Sequence, residues 1–118
     1  MIDRAGAEGF AAAWIAAWNA HDLDAILAHY TDDVVFHSPR IAVVTGEAVA
    51  FVAGKDVLAR YWSQALAQAP DLHFTLVRVY VGSDGLAIAY RNHRGEDAVE
   101  TFVFAPDGRV AASIAAYA

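Results

Sequence analysis

The chain has 118 residues, of which 58% are hydrophobic and 19% charged, with a formal net charge of −6 and no cysteine. This length supports one domain, residues 1–118, and the lack of cysteine excludes disulfides, thiolate nucleophiles and cysteine-based zinc sites. The eight Lys and Arg residues are scattered and form no basic stripe, which argues against nucleic-acid binding. The N-terminal residues lack the pattern of a signal peptide, and no apolar run is long enough to span a membrane. We therefore expect a cytoplasmic protein that does not bind membranes.

Residues 5–19 are predicted to form the first helix. Phe10, Trp14 and Trp18 recur at every fourth position, and the many alanines around them favour a helix. The two tryptophans are expected mainly to pack in the core. The alternative is that an indole N–H lines a cavity, because a buried Trp N–H needs a hydrogen-bond partner.

Asp22 is predicted to cap a short second helix that has Tyr30 on its apolar face. Residues 31–33 indicate a turn, and residues 34–36 a short strand that includes Phe36.

His37 and Ser38 follow that strand and are expected to point to opposite faces, because side chains alternate along extended backbone. Residues 40–53 have no clear period. They predict either a hairpin that turns near Gly46 or a mobile flap.

A third helix is predicted over residues 55–69, with Trp62 on its apolar stripe and Pro70 ending it. From Asp71 onward the spacing of apolar residues changes from about 3.6 to 2, which indicates strands. Four strands are predicted, joined by three short turns of hairpin type, at residues 72–81, 86–92, 98–104 and 110–117.

Short turns between successive strands predict an antiparallel meander. Helices followed by strands predict an α+β fold with the helices on one face of the sheet. Because both faces of the strands are apolar, the second face is predicted to be covered by another copy of the chain, in a homodimer.

Glu100 is a lone carboxylate in an apolar strand. It shares a face with Ala98, Phe102 and Phe104. If that face is the interior, burial raises the pKa of Glu100 and makes it a proton donor or acceptor near neutral pH. The alternative is an ordinary ion pair with an arginine of a neighbouring strand, Arg91 or Arg78.

The motifs of metal and cofactor sites are absent from the sequence. The five histidines do not show the spacings of metal ligands, and no phosphate-binding, dinucleotide-binding or G-x-S-x-G motif occurs. We therefore expect neither a metal nor a cofactor in any reaction that this protein catalyses.

Several segments together resemble the SnoaL-like branch of the NTF2-like superfamily. In order, these segments read AWNAHDLDAILAHYTDDVVFHSP, GKDVLARYW, PDLHF and ETFVFAPDGRV. The resemblance covers nearly the whole chain. It implies a cone-shaped, strongly bent antiparallel sheet wrapped around N-terminal helices, a cystatin-like α+β roll, enclosing a mainly apolar pocket and commonly found in dimers. Members include ketosteroid isomerases, polyketide cyclases, dehydratases, epoxide hydrolases and non-catalytic binding proteins, so the fold does not determine the function.

In the ketosteroid isomerase pattern, a first-helix tyrosine and a strand carboxylic acid hold the substrate oxygen while a second carboxylate moves the proton. Local alignment places Trp14 at the tyrosine, Glu100 at the strand acid and Ser38 at the second carboxylate. Serine cannot act as that base, so steroid isomerisation of that type is not expected.

The resulting hypothesis is a small-molecule enzyme of the isomerase, cyclase or hydrolase type that acts on an apolar, oxygenated ring compound. The alternative is a non-catalytic dimeric module that binds a ligand or another protein. Glu100 is the predicted acid–base residue, and His37 is a second candidate base at the cavity rim. The predicted substrate-binding residues are Trp14, Trp18, Phe36, Ser38, Trp62, Tyr90 and Phe102; the faces occupied by Tyr90, Asn92 and Arg78 stay open.

Overall fold

A computed structural model describes residues 2–118 as four helices and six strands. In chain order these elements are α1 (Arg4–Asn19), α2 (Leu23–Leu27), β1 (Tyr30–His37), α3 (Arg40–Thr45), β2 (Phe51–Ala53), α4 (Lys55–Gln68), β3 (Thr75–Val81), β4 (Gly85–Arg91), β5 (Asp97–Phe104) and β6 (Val110–Tyr117). The predicted α+β class is confirmed. Within residues 2–118, no helix has both the length and the apolar character needed to cross a membrane.

Side-chain caps begin the first two helices. Asp3 accepts a hydrogen bond from the backbone N–H of Gly6 (2.8 Å) and so caps α1. Asp22 caps α2 as predicted, through the backbone N–H of Ala25 (3.1 Å).

The six strands form one open sheet in the order β2-β1-β6-β5-β4-β3. Strands β3 to β6 form the predicted antiparallel meander. Strand β1, however, lies parallel to β6, so the sheet is mixed rather than wholly antiparallel. The physical reason is that β1 and β6 are joined by most of the chain, and no tight turn forces them to run in opposite directions.

Two segments before α4 differ from the sequence-based prediction. Tyr30 is the first residue of β1 and does not belong to the apolar face of α2. Residues 31–33 also lie within β1, at the point where the register between β1 and β6 shifts. The Thr31 hydroxyl donates to the Asp33 carboxylate there (2.8 Å), a local contact that resembles the predicted turn. Residues 40–53 form the short helix α3 and the strand β2, rather than a hairpin or a flap.

Helix α1 packs its aromatic stripe on the inner face of the sheet. Phe10 packs edge-on against Phe102 and Phe104, with ring centroids 5.1 Å apart in each pair. Trp14 packs in the same way against Phe102 at 5.4 Å. The strand residues between them, such as Val103, point to the opposite face and are exposed. The core lies between the inner face of the sheet and the helices, with Leu58, Tyr61 and Trp62 of α4 packed there as well.

Candidate functional site

A cavity of about 160 Å³ lies between the inner face of the sheet and the helices α1, α3 and α4. Its exposed lining residues, Val43, Gln68 and Arg94, mark its mouth. Glu100 lies in its wall. Six of the seven predicted substrate-binding residues also line it, namely Trp14, Trp18, Phe36, Ser38, Trp62 and Tyr90.

Strand alternation brings Glu100 to the inner face of the sheet. It lies in β5 opposite Ile88 of β4 and Ala115 of β6, and it is only 4% exposed. Its carboxyl group accepts a hydrogen bond from the hydroxyl of Ser113 (3.2 Å). Burial raises the pKa of Glu100 to about 8, against the smaller opposing effect of the Ser113 hydrogen bond.

The alternative of an ion pair between Glu100 and a strand arginine is wrong for this structure. Arg91 instead pairs with Asp97, at 3.0 Å, where both side chains are more than half exposed. Arg78 is exposed in β3. Tyr90 and Asn92, whose faces the sequence left open, line the cavity.

Four tyrosines surround Glu100, of which only Tyr90 was predicted from the sequence to be a site residue. Burial raises the pKa of Tyr30, Tyr61, Tyr90 and Tyr117, and the charge of Glu100 adds a smaller effect in the same direction. All four hydroxyls therefore keep their protons at neutral pH. The alternation of β6 could have indicated Tyr117, because it falls on the same face as the buried Ser113 and Ala115.

The indole N–H of Trp14 forms a hydrogen bond within the protein. Its Nε1–H donates to the hydroxyl of Tyr30 (3.0 Å), and both residues are fully or almost fully buried. Trp14 therefore offers its ring to the cavity wall while its N–H is occupied. Tyr30 was missed because its partner lies sixteen residues away on a different element, and no local pattern connects the two.

Polar side chains lie beside the mouth of the cavity. Arg40, the first residue of α3, forms an ion pair with Glu96 in the turn between β4 and β5. The Arg40 guanidinium also lies over the ring of Tyr117, 4.8 Å from its centroid. This arginine thus links α3 to the sheet beside the entrance.

Two predicted site residues do not line the cavity. His37 is exposed, with its ring 5.4 Å from that of Phe51, because alternation turns Ser38 inward and His37 outward. The prediction that His37 lies at the cavity rim is therefore wrong. Phe102 does point inward, but Phe10 and Trp14 pack against it and separate it from the cavity.

The titratable residues of the described chain, residues 2–118, do not gather into a metal site, since no group of three or more His, Asp or Glu side chains is placed to hold an ion.

The sequence profile of the SnoaL-like domain matches residues 11–113. The chain belongs to the SnoaL-like family. This confirms the resemblance seen in the sequence, while no curated protein matches the chain.

Solved structures show the same architecture as this SnoaL-like protein. A SnoaL-like protein of unknown function from Burkholderia thailandensis is 46% identical, with a TM-score of 0.93 over 99% of this chain and 98% of that one. An NTF2-like protein of unknown function from Cytophaga hutchinsonii is 10% identical (TM-score 0.72; 100% and 95% coverage). A candidate polyketide cyclase from Sinorhizobium meliloti is 18% identical (TM-score 0.71; 87% and 89% coverage). At such low identity, the last two show the fold alone.

Proposed function

We propose that this SnoaL-like protein is a small-molecule enzyme of the isomerase, cyclase or hydrolase type. In this proposal Glu100 exchanges a proton with an apolar, oxygenated ring compound held in the cavity, without a cofactor. Activity in the cytoplasm is part of the same proposal.

The observation that carries the proposal is a buried carboxyl group in the wall of an aromatic cavity. Because the pKa of Glu100 is raised to about 8, both of its protonation states are accessible near neutral pH. At pH 7 the neutral acid predominates by about ten to one. Glu100 is then suited to act as a general acid that protonates a substrate oxygen and later recovers the proton.

The size of the cavity limits the substrate. A volume of about 160 Å³ lies below the range of roughly 300–1,000 Å³ that is typical of sites for drug-sized ligands. It is close to an engineered cavity of about 150 Å³ that binds benzene. We therefore propose a compound of one or two rings; a four-ring steroid would extend through the mouth.

The substrate would lie between aromatic rings with its reacting oxygen turned toward the sheet. The indole rings of Trp18 and Trp62 meet edge to face at 5.0 Å and form one wall. On the sheet side, the neutral hydroxyl-bearing residues Tyr90 and Tyr117 line the cavity together with Glu100. These groups can stabilise negative charge that develops on the oxygen during the reaction.

Turnover of small ring ketones, lactones and epoxides by the wild type and by Glu100→Gln tests this proposal. A thermal-shift screen would first select the compounds that bind. For a compound that is turned over, we expect Glu100→Gln to lower kcat by about 10²-fold or more, because the amide cannot deliver a proton. We also expect kcat/KM to fall above pH 8, where Glu100 loses its acid form.

The control is Glu47→Gln, which removes an exposed carboxylate outside the cavity. Glu47→Gln should turn over the same compounds at the rate of the wild type. A rate that survives Glu100→Gln unchanged would contradict the role of Glu100.

A second candidate function is binding without turnover. It is favoured by the fact that, within residues 2–118, Glu100 is the only carboxylate that lines the cavity, whereas the ketosteroid isomerase pattern needs two. Compounds that raise the melting temperature but are recovered unchanged after long incubation would support this function.

We further propose that the protein is a homodimer. The outer face of the sheet, opposite the cavity, carries the exposed apolar residues Val99, Val103 and Ile114. A second copy of this chain would remove that surface from water.

A further inference from the structure

Trp18 is an indole of the cavity wall whose N–H has no partner. Trp18 is 5% exposed, and its Nε1 is fully buried without a hydrogen bond among the described residues 2–118. A buried donor left unpaired is unfavourable, because it has lost its hydrogen bond to water and gained none in return. An indole N–H can only donate, so the missing partner is an acceptor.

The unpaired indole N–H is specific to Trp18 and is not shared by the neighbouring tryptophan. Trp14 lies one helical turn earlier in α1 and also lines the cavity, but its Nε1–H donates to Tyr30 at 3.0 Å. Trp18 is held by its own aromatic contacts, with Trp62 at 5.0 Å and Phe74 at 5.6 Å between ring centroids. Helix α1 thus carries one bonded and one unbonded indole donor, and both indole-bearing residues line the cavity.

A second buried nitrogen without a partner lies in the same wall. His93 lines the cavity, and its Nδ1 has no hydrogen bond within residues 2–118, while its Nε2 lies 3.6 Å from the carboxylate of Asp71. His93 thus contacts the start of the segment 71–74, and Trp18 contacts its end through Phe74. The unsatisfied polar groups of the cavity therefore gather beside this segment.

The segment 71–74 is firmly attached to the end of α1. Asn19 donates its side-chain amide to the carbonyl oxygen of Phe74 (2.9 Å) and accepts from the Phe74 N–H (2.7 Å). The Nε2 of His21 lies 2.8 Å from the carbonyl oxygen of Leu72. These bonds hold the segment in place beside Trp18 and His93.

We infer that Trp18 is a ligand-binding residue whose Nε1–H donates to an oxygen of the ligand beside the segment 71–74. This inference rests on the proposed function, because it requires the ligand to occupy the cavity. It narrows the ligand class to ring compounds that carry a carbonyl or similar acceptor oxygen. An aromatic hydrocarbon of equal size would fill the same space and leave the Trp18 donor unpaired.

The test uses two probes of nearly the same shape, acetophenone and ethylbenzene, which differ by a carbonyl in place of a methylene. Affinities for both are measured by calorimetry with the wild type and with Trp18→Phe, which keeps an aromatic ring but removes the N–H. We expect Trp18→Phe to weaken acetophenone binding by about three- to tenfold, the effect of one hydrogen bond, and to leave ethylbenzene binding unchanged.

Trp14→Phe is the matched control. It removes an indole N–H that is already bonded to Tyr30, so it should weaken the binding of both probes to the same extent. A direct readout on the wild type is the ¹H–¹⁵N spectrum, in which the indole N–H signal of Trp18 should move downfield with acetophenone and not with ethylbenzene. This readout decides the matter even if Trp18→Phe fails to fold.

The outcomes separate this inference from the proposed function. Equal losses for both probes in Trp18→Phe, or an indole signal that responds equally to both, would overturn the role of Trp18 while the cavity remains a binding site. If neither probe binds the wild type, the inference about Trp18 falls, while the screen of ring ketones, lactones and epoxides decides the proposed function separately.

Discussion

A single carboxyl group, that of Glu100, gives the cavity its chemical character. Its position in β5 sends it to the same side as Ala98 and Phe102, away from water. The one hydrogen bond from Ser113 compensates only in part for the lost hydration, so the neutral form is favoured. The burial that, in the proposed function, suits Glu100 to act as an acid must also affect the stability of the fold.

The stability of the protein is predicted to fall as the pH rises from about 5 to 8. The folded protein keeps the proton of Glu100 until its pKa of about 8, whereas the unfolded chain releases it near 4.5. Folding therefore takes up a proton in this window, and its contribution is complete below pH 4.5 and lost as the pH rises through 8. We expect the free energy of unfolding to decline by on the order of 1 kcal/mol per pH unit.

Urea unfolding at a series of pH values measures this effect, and the comparison with Glu100→Gln isolates it from the histidines. The variant should lose most of the decline, since its amide does not titrate, whereas Glu47→Gln should keep it. Parallel curves for the wild type and Glu100→Gln would show that burial does not raise the pKa of Glu100.

At the scale of the elements, the pairing of β4 with β5 depends on a glycine. Gly85 begins β4 opposite Val103, and a Cβ at this position would lie 1.7 Å from the carbonyl oxygen of Phe102. No rotamer can relieve that overlap, because both atoms belong to the backbone framework. The glycine is therefore required by the close approach of two strands.

Gly85→Ala is predicted to destabilise the protein by about 3 kcal/mol or more, since β4 must move away from β5. The matched control is Gly9→Ala on the exposed side of α1, where a Cβ meets nothing within 4 Å. That change should stabilise the protein by about 0.5–1 kcal/mol through helix propensity. Thermal and urea unfolding measure both; equal effects of the two substitutions would contradict the steric argument.

Helix α3 shows how an element can depend on its surroundings. A helix of six residues is not stable alone, and α3 ends at Gly46, which has a φ of +75°. The buried Ile41 holds it to the core, and the Gln68 side chain of α4 donates to the carbonyl oxygen of Val44 (3.0 Å). The local sequence of residues 40–53 therefore gave little indication of its secondary structure, although this segment places Arg40 at the cavity mouth.

At the scale of the whole molecule, the sheet separates two apolar surfaces. The inner surface faces α1 and the cavity. The outer surface carries Val99, Val103 and Ile114, which are between 38% and 53% exposed, on the neighbouring strands β5 and β6. A single copy of the chain leaves this surface in water.

The protein is predicted to have twice the mass of one chain in light scattering at micromolar concentration. Ile114→Asp should shift it to the monomer, because a charge at the centre of the outer face would be buried without a partner. Val57→Lys, an exposed change on α4, is the control and should leave the mass unchanged. A monomer for the wild type at these concentrations would contradict the homodimer.

Local patterns in the sequence were sufficient for a large part of this fold. The four-residue spacing of Trp14 and Trp18 predicted α1, and the two-residue spacing after Asp71 predicted the strands of the meander. The same alternation predicted that Ser38 and His37 point to opposite faces and that Glu100 lies on an apolar face. Each of these signals is contained in a short window of chain, where backbone geometry alone relates neighbouring side chains.

Contacts between distant segments decided the rest. The parallel pairing of β1 with β6, the hydrogen bond from Trp14 to Tyr30 and the separation of Phe102 from the cavity by Phe10 join residues from different elements. Side-chain alternation can assign a residue to the inner face, but only packing decides whether that residue meets a neighbour or an open space. The sequence by itself thus determined the elements and the inward carboxylate, while the tertiary structure determined which inward side chains line the cavity.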